Sequence, residues 1–337
     1  MYTYPTWFSD LLGHPLPRPE GTRVTTPGAT LVWTNGLLRD EHCVDAGQSQ
    51  TRATFAYKWQ REDTYGSSSM KDMSKAWLEA RYARLWEHPA WSGSGGRPLM
   101  LDAGCGAAYS AQILFEGRFD RMRYVGVDLS RASDVAASRF AEAGIPAAVV
   151  QADLMSLPFA NETFDIVFSE GVLHHTPDTR AALEAVSQKV RRGGALAFYI
   201  YRRKSPVREF TDDYIRNLIS DLPPEQAWEL LMPLTKLGAA LGSLGVTVQV
   251  PERVELLGIP SGPIDIQRLF YWHVWKAYYR SDFSLDEMNH INFDWFTPKY
   301  AHRHSEEEVN SWCADLGLII QNIQIEDAGI TVLATRS

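Results

Sequence analysis

Apolar and polar positions change rhythm repeatedly along this chain. Residues 98–103 (PLMLDA) form a short apolar run that reads as a buried strand, and residues 107–116 follow with helical spacing. The alternation continues with a strand at 123–127 (RYVGV), a helix over 131–143 with Ser130 at its N-cap, and a third strand at 147–152. A fourth strand covers 163–169 (TFDIVFS), a helix 178–191, and a fifth strand 194–201 (GALAFYIY) starts at the Gly193-Gly194 stop. Strands alternating with helices predict right-handed crossovers, a parallel sheet, and a ligand site at the carboxyl ends of its strands. The rhythm breaks near Arg202 and resumes at Ser305, where Ser305 and Glu308 match a capping box. Two closing strands follow, 318–325 and 330–335, with Gly329 near their turn.

The flanks read differently. Residues 1–95 are an irregular lead, punctuated by Pro, Gly and Thr around the apolar run Ala29-Thr30-Leu31-Val32-Trp33. Within it, Met70, Met73, Trp77, Ala80, Tyr82 and Leu85 predict an amphipathic helix over 70–88. The glycine-serine stretch 92–96 then marks the boundary of the core. Residues 203–304 form an aromatic-rich insertion, and insertions of that length are uncommon unless functional. Four segments result: a lead with a cap helix (1–95), an α/β core (96–202), a helical insertion or lid (203–304), and a helix with a strand pair that completes the core (305–337).

Composition narrows the function. Apolar residues make up 45% and charged residues 22%, enough to build a core and to exclude wholesale disorder. No apolar run approaches the roughly 18 residues of a membrane span. The N-terminus has no basic segment followed by an apolar core, so a cytoplasmic setting is expected. A net charge of −8 suits nucleic-acid phosphates poorly, although Arg202-Arg203-Lys204 makes a local basic stripe. Cys43, Cys105 and Cys313 are too far apart for a Cys-x-x-Cys metal site, and reduced thiols are expected.

The first crossover carries the strongest chemistry. In Leu101-Asp102-Ala103-Gly104-Cys105-Gly106, two glycines allow a tight turn and close approach of a ligand to a helix N-terminus. A dinucleotide fingerprint would place a third glycine where Tyr109 stands, which counts against NAD or FAD. The second strand ends at Asp128, where a carboxylate can accept both hydroxyls of a ribose. The third ends at Asp153-Leu154, suited to an adenine's amine and face.

LDAGCG, VGVDLS, QADLMSLPFANETFDIVFSEGVLHHTPD and RRGGALAFYIY, in that order, resemble class I S-adenosylmethionine-dependent methyltransferases. The resemblance covers residues 99–201 and resumes from 305. It implies a Rossmann-like doubly wound sheet with an antiparallel last strand and S-adenosylmethionine as cofactor. It puts the methionine moiety against Asp102 and the loop Gly104, Cys105 and Gly106, and the ribose on Asp128. Adenine would lie near Leu129, Asp153 and Leu154, while Glu170 and Gly171 would line the junction with the acceptor. FAYKWQR (55–61) resembles an aromatic element preceding the core in some bacterial members, so Tyr57 and Trp59 are expected to fold over the cofactor. The segment before it resembles the zinc-ribbon lead of related proteins but lacks paired cysteines, and no metal is expected.

The acceptor side rests on fewer residues. His174 and His175 follow the fourth strand, where an imidazole could take the acceptor's proton or could simply shape the loop. Asp294 and Tyr300, in the insertion, are the other candidate catalytic groups, with Trp295 and Tyr201 beside them. The Cys105 thiol reads as packing, since methyl transfer needs no thiol nucleophile. His290, His302 and His304 match no strong metal-ligand spacing. Transfer of a methyl group to a small-molecule acceptor is the expected function. Its rivals are methylation of a modified tRNA base, which the LHH element also resembles, and a non-enzymatic nucleoside-sensing module.

Overall fold

The computed structural model describes residues 2–41, 44–92 and 96–337; Cys43 and most of the expected glycine-serine boundary lie outside the described residues. The strands in chain order are β1 (Arg23–Thr25), β2 (Thr30–Thr34), β3 (Leu37–Asp40), β4 (Leu99–Ala103), β5 (Arg123–Asp128), β6 (Ala148–Gln151), β7 (Phe164–Glu170), β8 (Val190–Tyr201), β9 (Thr247–Val250), β10 (Gly262–Asp265), β11 (Leu318–Ile325) and β12 (Gly329–Arg336). Ten of them form one sheet in the order β1-β2-β3-β6-β5-β4-β7-β8-β12-β11. The stretch β6-β5-β4-β7-β8 is parallel throughout, and β12 returns antiparallel to β8. Chain order reverses at β4, which has β5 on one side and β7 on the other, and that crevice is where such sheets bind ligands.

These strands are buried on both faces, which is why they read as continuous apolar runs rather than alternating ones. Alternate residues still sort into two cores. Leu99, Leu101 and Ala103 of β4 join Val125, Val127, Leu196 and Phe198 on one face, while Met100 joins Tyr124, Phe168 and Tyr199 on the other.

Four local expectations change. The lead contributes strands: β1, β2 and β3 form an antiparallel meander, and β3 pairs parallel with β6 at Leu38 and Arg39. The Tyr2 and Tyr4 hydroxyls fasten the first residues to the Ala147 and Val149 carbonyls. The 70–88 helix runs over Ser68–Tyr82 and then tightens into a single 3₁₀ stretch, Ala83–Glu87. The helix expected over 178–191 stops at Ser187, and β8 starts at Val190, so the chain passes through Gly193-Gly194 as strand. Gly194 is required there, because a Cβ would lie 2.8 Å from the Asp165 carbonyl oxygen. Arg131 rather than Ser130 stands at the N-cap of the Ala132–Glu142 helix, although the Ser130 hydroxyl, which donates to Asp128, also accepts from the Ala132 N–H.

The insertion leaves and rejoins the sheet at one place, where Arg202 bridges His304 and the Arg203 N–H donates to the His304 carbonyl. Between these points lie helices Pro206–Ile219, Pro224–Ser243, Ile266–His273 and Leu285–Phe296, with the β9/β10 hairpin. A buried network, Thr235 to Asn289 and Asn292 to Thr235, locks the second and fourth of these helices together. Among the described residues no helix is long and apolar enough to cross a membrane.

Candidate functional site

One cavity of about 520 Å³ runs from the carboxyl ends of β4, β5, β6 and β7 to the inner wall of the insertion. At its core end the turn after β4 is drawn tight, because the Gly104 and Cys105 N–H groups both donate to the Val127 carbonyl at 2.7 and 2.9 Å. Gly104 has φ +89°, and a Cβ would sit 2.3 Å from Val172, so only glycine fits. Asp128 ends β5 with one oxygen on the Gly106 N–H (2.8 Å) and the other on the Ser130 N–H and hydroxyl (2.7 and 2.6 Å). Asp153 ends β6, accepting from the Met155 N–H and from Gln48 Nε2, each at 2.9 Å. Burial pushes Asp102 up to about 7 against the pull of its Tyr124 hydrogen bond. Burial also raises Asp128 and Glu170 above the usual carboxylate range.

This end fits an adenosyl cofactor. Carboxylates stand at the neighbouring ends of β5 and β6, the glycine turn lies beside Asp128 at the end of β4, and Leu129 and Leu154 line the same wall. Gly171, with φ +72°, faces open space, since a Cβ there would meet nothing within 4 Å. The helix Ala46–Gln60 closes over it, bringing Gln48, Arg52, Phe55, Lys58 and Trp59 to the cavity. Trp59 lies against Gly106, whose Cβ would fall 2.9 Å from the indole nitrogen.

The far end is aromatic and charged. Tyr201, Trp295, Tyr271, Trp272, Trp77 and Tyr199 wall it, together with Lys204, Arg208, Arg268, Lys276 and Asp294. Lys58 Nζ meets Asp294 at 2.5 Å, and the Tyr201 hydroxyl donates to the other Asp294 oxygen at 3.3 Å. Burial alone would raise Asp294, but the Lys58 ammonium outweighs it and holds the carboxyl well below its usual range. His175 Nδ1 lies 2.6 Å from the Tyr300 carbonyl, so the proton sits on Nδ1 and Nε2 is left as a lone-pair acceptor. Nε2 has no partner among the described residues, and burial pulls the imidazole down to about 4. Glu170 accepts from Trp77 Nε1 at 3.1 Å and from the Tyr82 hydroxyl.

The structure brings Asp102, Gly104, Cys105, Gly106, Asp128, Leu129, Asp153, Leu154, Glu170, Gly171, Trp59, His175 and Asp294 into this one cavity. Three expected residues lie outside its lining. Tyr57 points to the opposite side of its helix and packs on Trp228 and Phe293. His174 is fully buried behind the wall, stacked on Tyr201 with ring centroids 3.6 Å apart. Tyr300 reaches Asp45 at the start of the Ala46–Gln60 helix, so its carbonyl rather than its phenol serves the site. His302 and His304 hydrogen-bond near Thr176 and Thr179, and His290 meets Thr64. Sequence reasoning missed Lys58, Lys204, Lys276 and Gln48, ordinary surface residue types whose burial only the folded chain reveals.

A family model described as a methyltransferase domain matches residues 101–198. An uncharacterized methyltransferase of Mycobacterium tuberculosis is 38% identical over 105 residues, covering 30% of this chain and 50% of the relative. The mitochondrial arginine-hydroxylase NDUFAF5 of Homo sapiens is 34% identical over 97 residues, 29% of this chain and 27% of that protein. The chain thus spans about half the length, or less, of these curated relatives. Among solved structures, the 1,6-didemethyltoxoflavin-N1-methyltransferase of Burkholderia thailandensis covers 95% of this chain and 98% of its own, at 12% identity and a TM-score of 0.46. The family match and the strand order together make residues 101–198 a methyltransferase domain on a doubly wound, Rossmann-like sheet.

Proposed function

We propose that the protein transfers a methyl group from S-adenosylmethionine to a small-molecule acceptor held at the aromatic end of the cavity. The observation that carries this reading is continuity: one open-mouthed cavity joins the strand-end carboxylates Asp128 and Asp153 to the insertion wall. Its volume falls within the usual 300–1,000 Å³ of small-ligand sites. Asp128 would take the ribose hydroxyls, Leu129 and Leu154 the adenine, and the Gly104–Gly106 turn with Asp102 the methionine moiety. When bound, the cofactor supplies an already activated methyl group, so the chain's own task is alignment and exclusion of water.

The Ala46–Gln60 helix and the insertion close the space from two sides. His175 Nε2 would accept a proton from an acceptor hydroxyl or amine, its orientation fixed by the Tyr300 carbonyl. Asp294 would balance the imidazolium so formed. His174, lacking access to the cavity, would act only by packing.

The test is direct. Purified protein is incubated with methyl-labelled cofactor and a fractionated metabolite pool, and label is followed into product alongside S-adenosylhomocysteine formation. Labelled product made by the wild type and lost in His175→Ala supports the reading. Tight S-adenosylhomocysteine binding with no labelled product from any pool would favour a nucleoside-sensing module.

A further inference from the structure

The far end of the cavity holds more positive charge than its own carboxylates match. Lys58 is paired with Asp294, and Arg208 with Asp212 at 2.6 Å. Glu209, the next carboxylate along that helix, is taken by Arg303 at 2.8 Å. Three cations then remain, against Glu170, whose oxygens accept only from Trp77 and Tyr82 among the described residues. Lys276 lines the cavity at 8% exposure, and its ammonium has neither ion pair nor hydrogen bond among the described residues. It lies over the face of Trp295, 4.7 Å from the ring centre, with the Asp294 and Asp212 carboxylates near enough to act on it but not bonded to it. Lys204 Nζ reaches only neutral acceptors, the carbonyls of Asp327 and Ala328. Arg268 stands at the mouth over Tyr271, its guanidinium without a carboxylate among the described residues.

A buried ammonium without a counter-charge is costly, and an aromatic face offsets only part of that cost. Burial pulls both Lys276 and Lys204 down to about 7, outweighing the opposite pull of Asp294 and Asp212 on the first and of Glu209 and Asp212 on the second. Asp294 does not fill the gap, because its oxygens already serve Lys58 and Tyr201. A guanidinium or amine substrate would add a further positive charge, and a neutral one would leave the three groups as they are.

We infer, resting on the transferase reading above, that the acceptor is an aromatic or conjugated oxyanion whose acid group docks against Lys276, Lys204 and Arg268. Its flat body then lies among Trp295, Trp272 and Tyr271, and its reactive atom faces His175. The acid group is the handle that orients the acceptor and is not itself the methylated atom. Charge recognition here selects the substrate class, while the aromatic walls select its shape.

Calorimetry on the full chain tests this with matched probes: 4-hydroxybenzoate against 4-hydroxybenzamide, and 2-naphthoate against 2-naphthamide, each with and without saturating S-adenosylhomocysteine. Each acid is expected to bind at least tenfold more tightly than its amide. Lys276→Met and, separately, the exposed Arg268→Gln should reduce that preference, with S-adenosylhomocysteine binding as the check that each variant is folded. Equal affinity for acid and amide, a preference for the amide, or no binding of any probe at millimolar concentration would overturn the inference. The cofactor titration is read independently. Its failure would refute the transferase reading while the acid-against-amide comparison without cofactor still decides the oxyanion site.

Discussion

Asp128 meets its surroundings with both oxygens engaged, by Gly106 on one side and Ser130 on the other. Such a carboxylate is held in one orientation before any ligand arrives, so its remaining lone pairs are aimed at little entropic cost. Asp128→Ala is therefore expected to weaken S-adenosylhomocysteine by about 1.5–3 kcal/mol, the scale of lost charge-assisted hydrogen bonds. Calorimetry checks this, and unchanged affinity in a folded variant removes Asp128 from the site. His175 gives a second test. Its unfolded imidazole takes up a proton near 6.5 and the folded one only near 4, so acidification through that window favours unfolding. Between pH 7 and pH 5 the wild type should lose about 2 kcal/mol more stability than His175→Gln, measured by urea denaturation at each pH. Asp102, raised to about 7, works in the opposite direction but is common to both proteins and cancels in the difference. Asp128 and Asp153 are legible in the sequence because each closes an apolar strand run. Lys58 and Lys276 are not, because nothing local distinguishes a buried lysine from an exposed one.

At the scale of elements, the lead carries two separable roles. The β1–β3 meander covers the free edge of β6, and the Ala46–Gln60 helix roofs the cavity. A chain starting at Asp45 should keep the roof but expose β6, and is expected to associate on size-exclusion chromatography. A chain starting at Met70 should in addition lose S-adenosylhomocysteine binding, because Gln48, Arg52 and Trp59 leave with the helix. Full binding by the Met70 chain would show that the helix is dispensable. Strands of three to five residues, such as β1 and β2, are too short to show a period, which is why the lead reads as irregular. The capping boxes survive translation into structure better: Ser305 and Glu308 open the Glu306–Asp315 helix as their spacing predicts. Gly193-Gly194 misleads in the other direction, because a glycine pair that reads as a stop lies here inside a strand, Gly193 demanded by its φ of +73° and Gly194 by close approach.

For the molecule as a whole, Lys58 and Asp294 join segments 236 positions apart in the chain, tying the roof helix to the insertion. The pair is largely buried, so removing one partner strands the other. Lys58→Met is expected to destabilise the protein by about 3 kcal/mol, and Lys58→Met with Asp294→Asn to recover much of that. Thermal melting of the three variants checks the coupling, and purely additive losses would refute it. The doubly wound core is legible because its strands, turns and helices agree with one another at every level, whereas of the insertion only its helical character is, because the packing of its helices depends on contacts between distant segments. The rims of the sheet have a further consequence. It begins at β1, only three residues long, and ends at β11, whose register slips between Ile320 and Asn322. The first is too short, and the bulge breaks the eight-residue second into two short runs, so neither rim of the ten-stranded sheet gives a second molecule a long, flat row of free backbone groups to pair with.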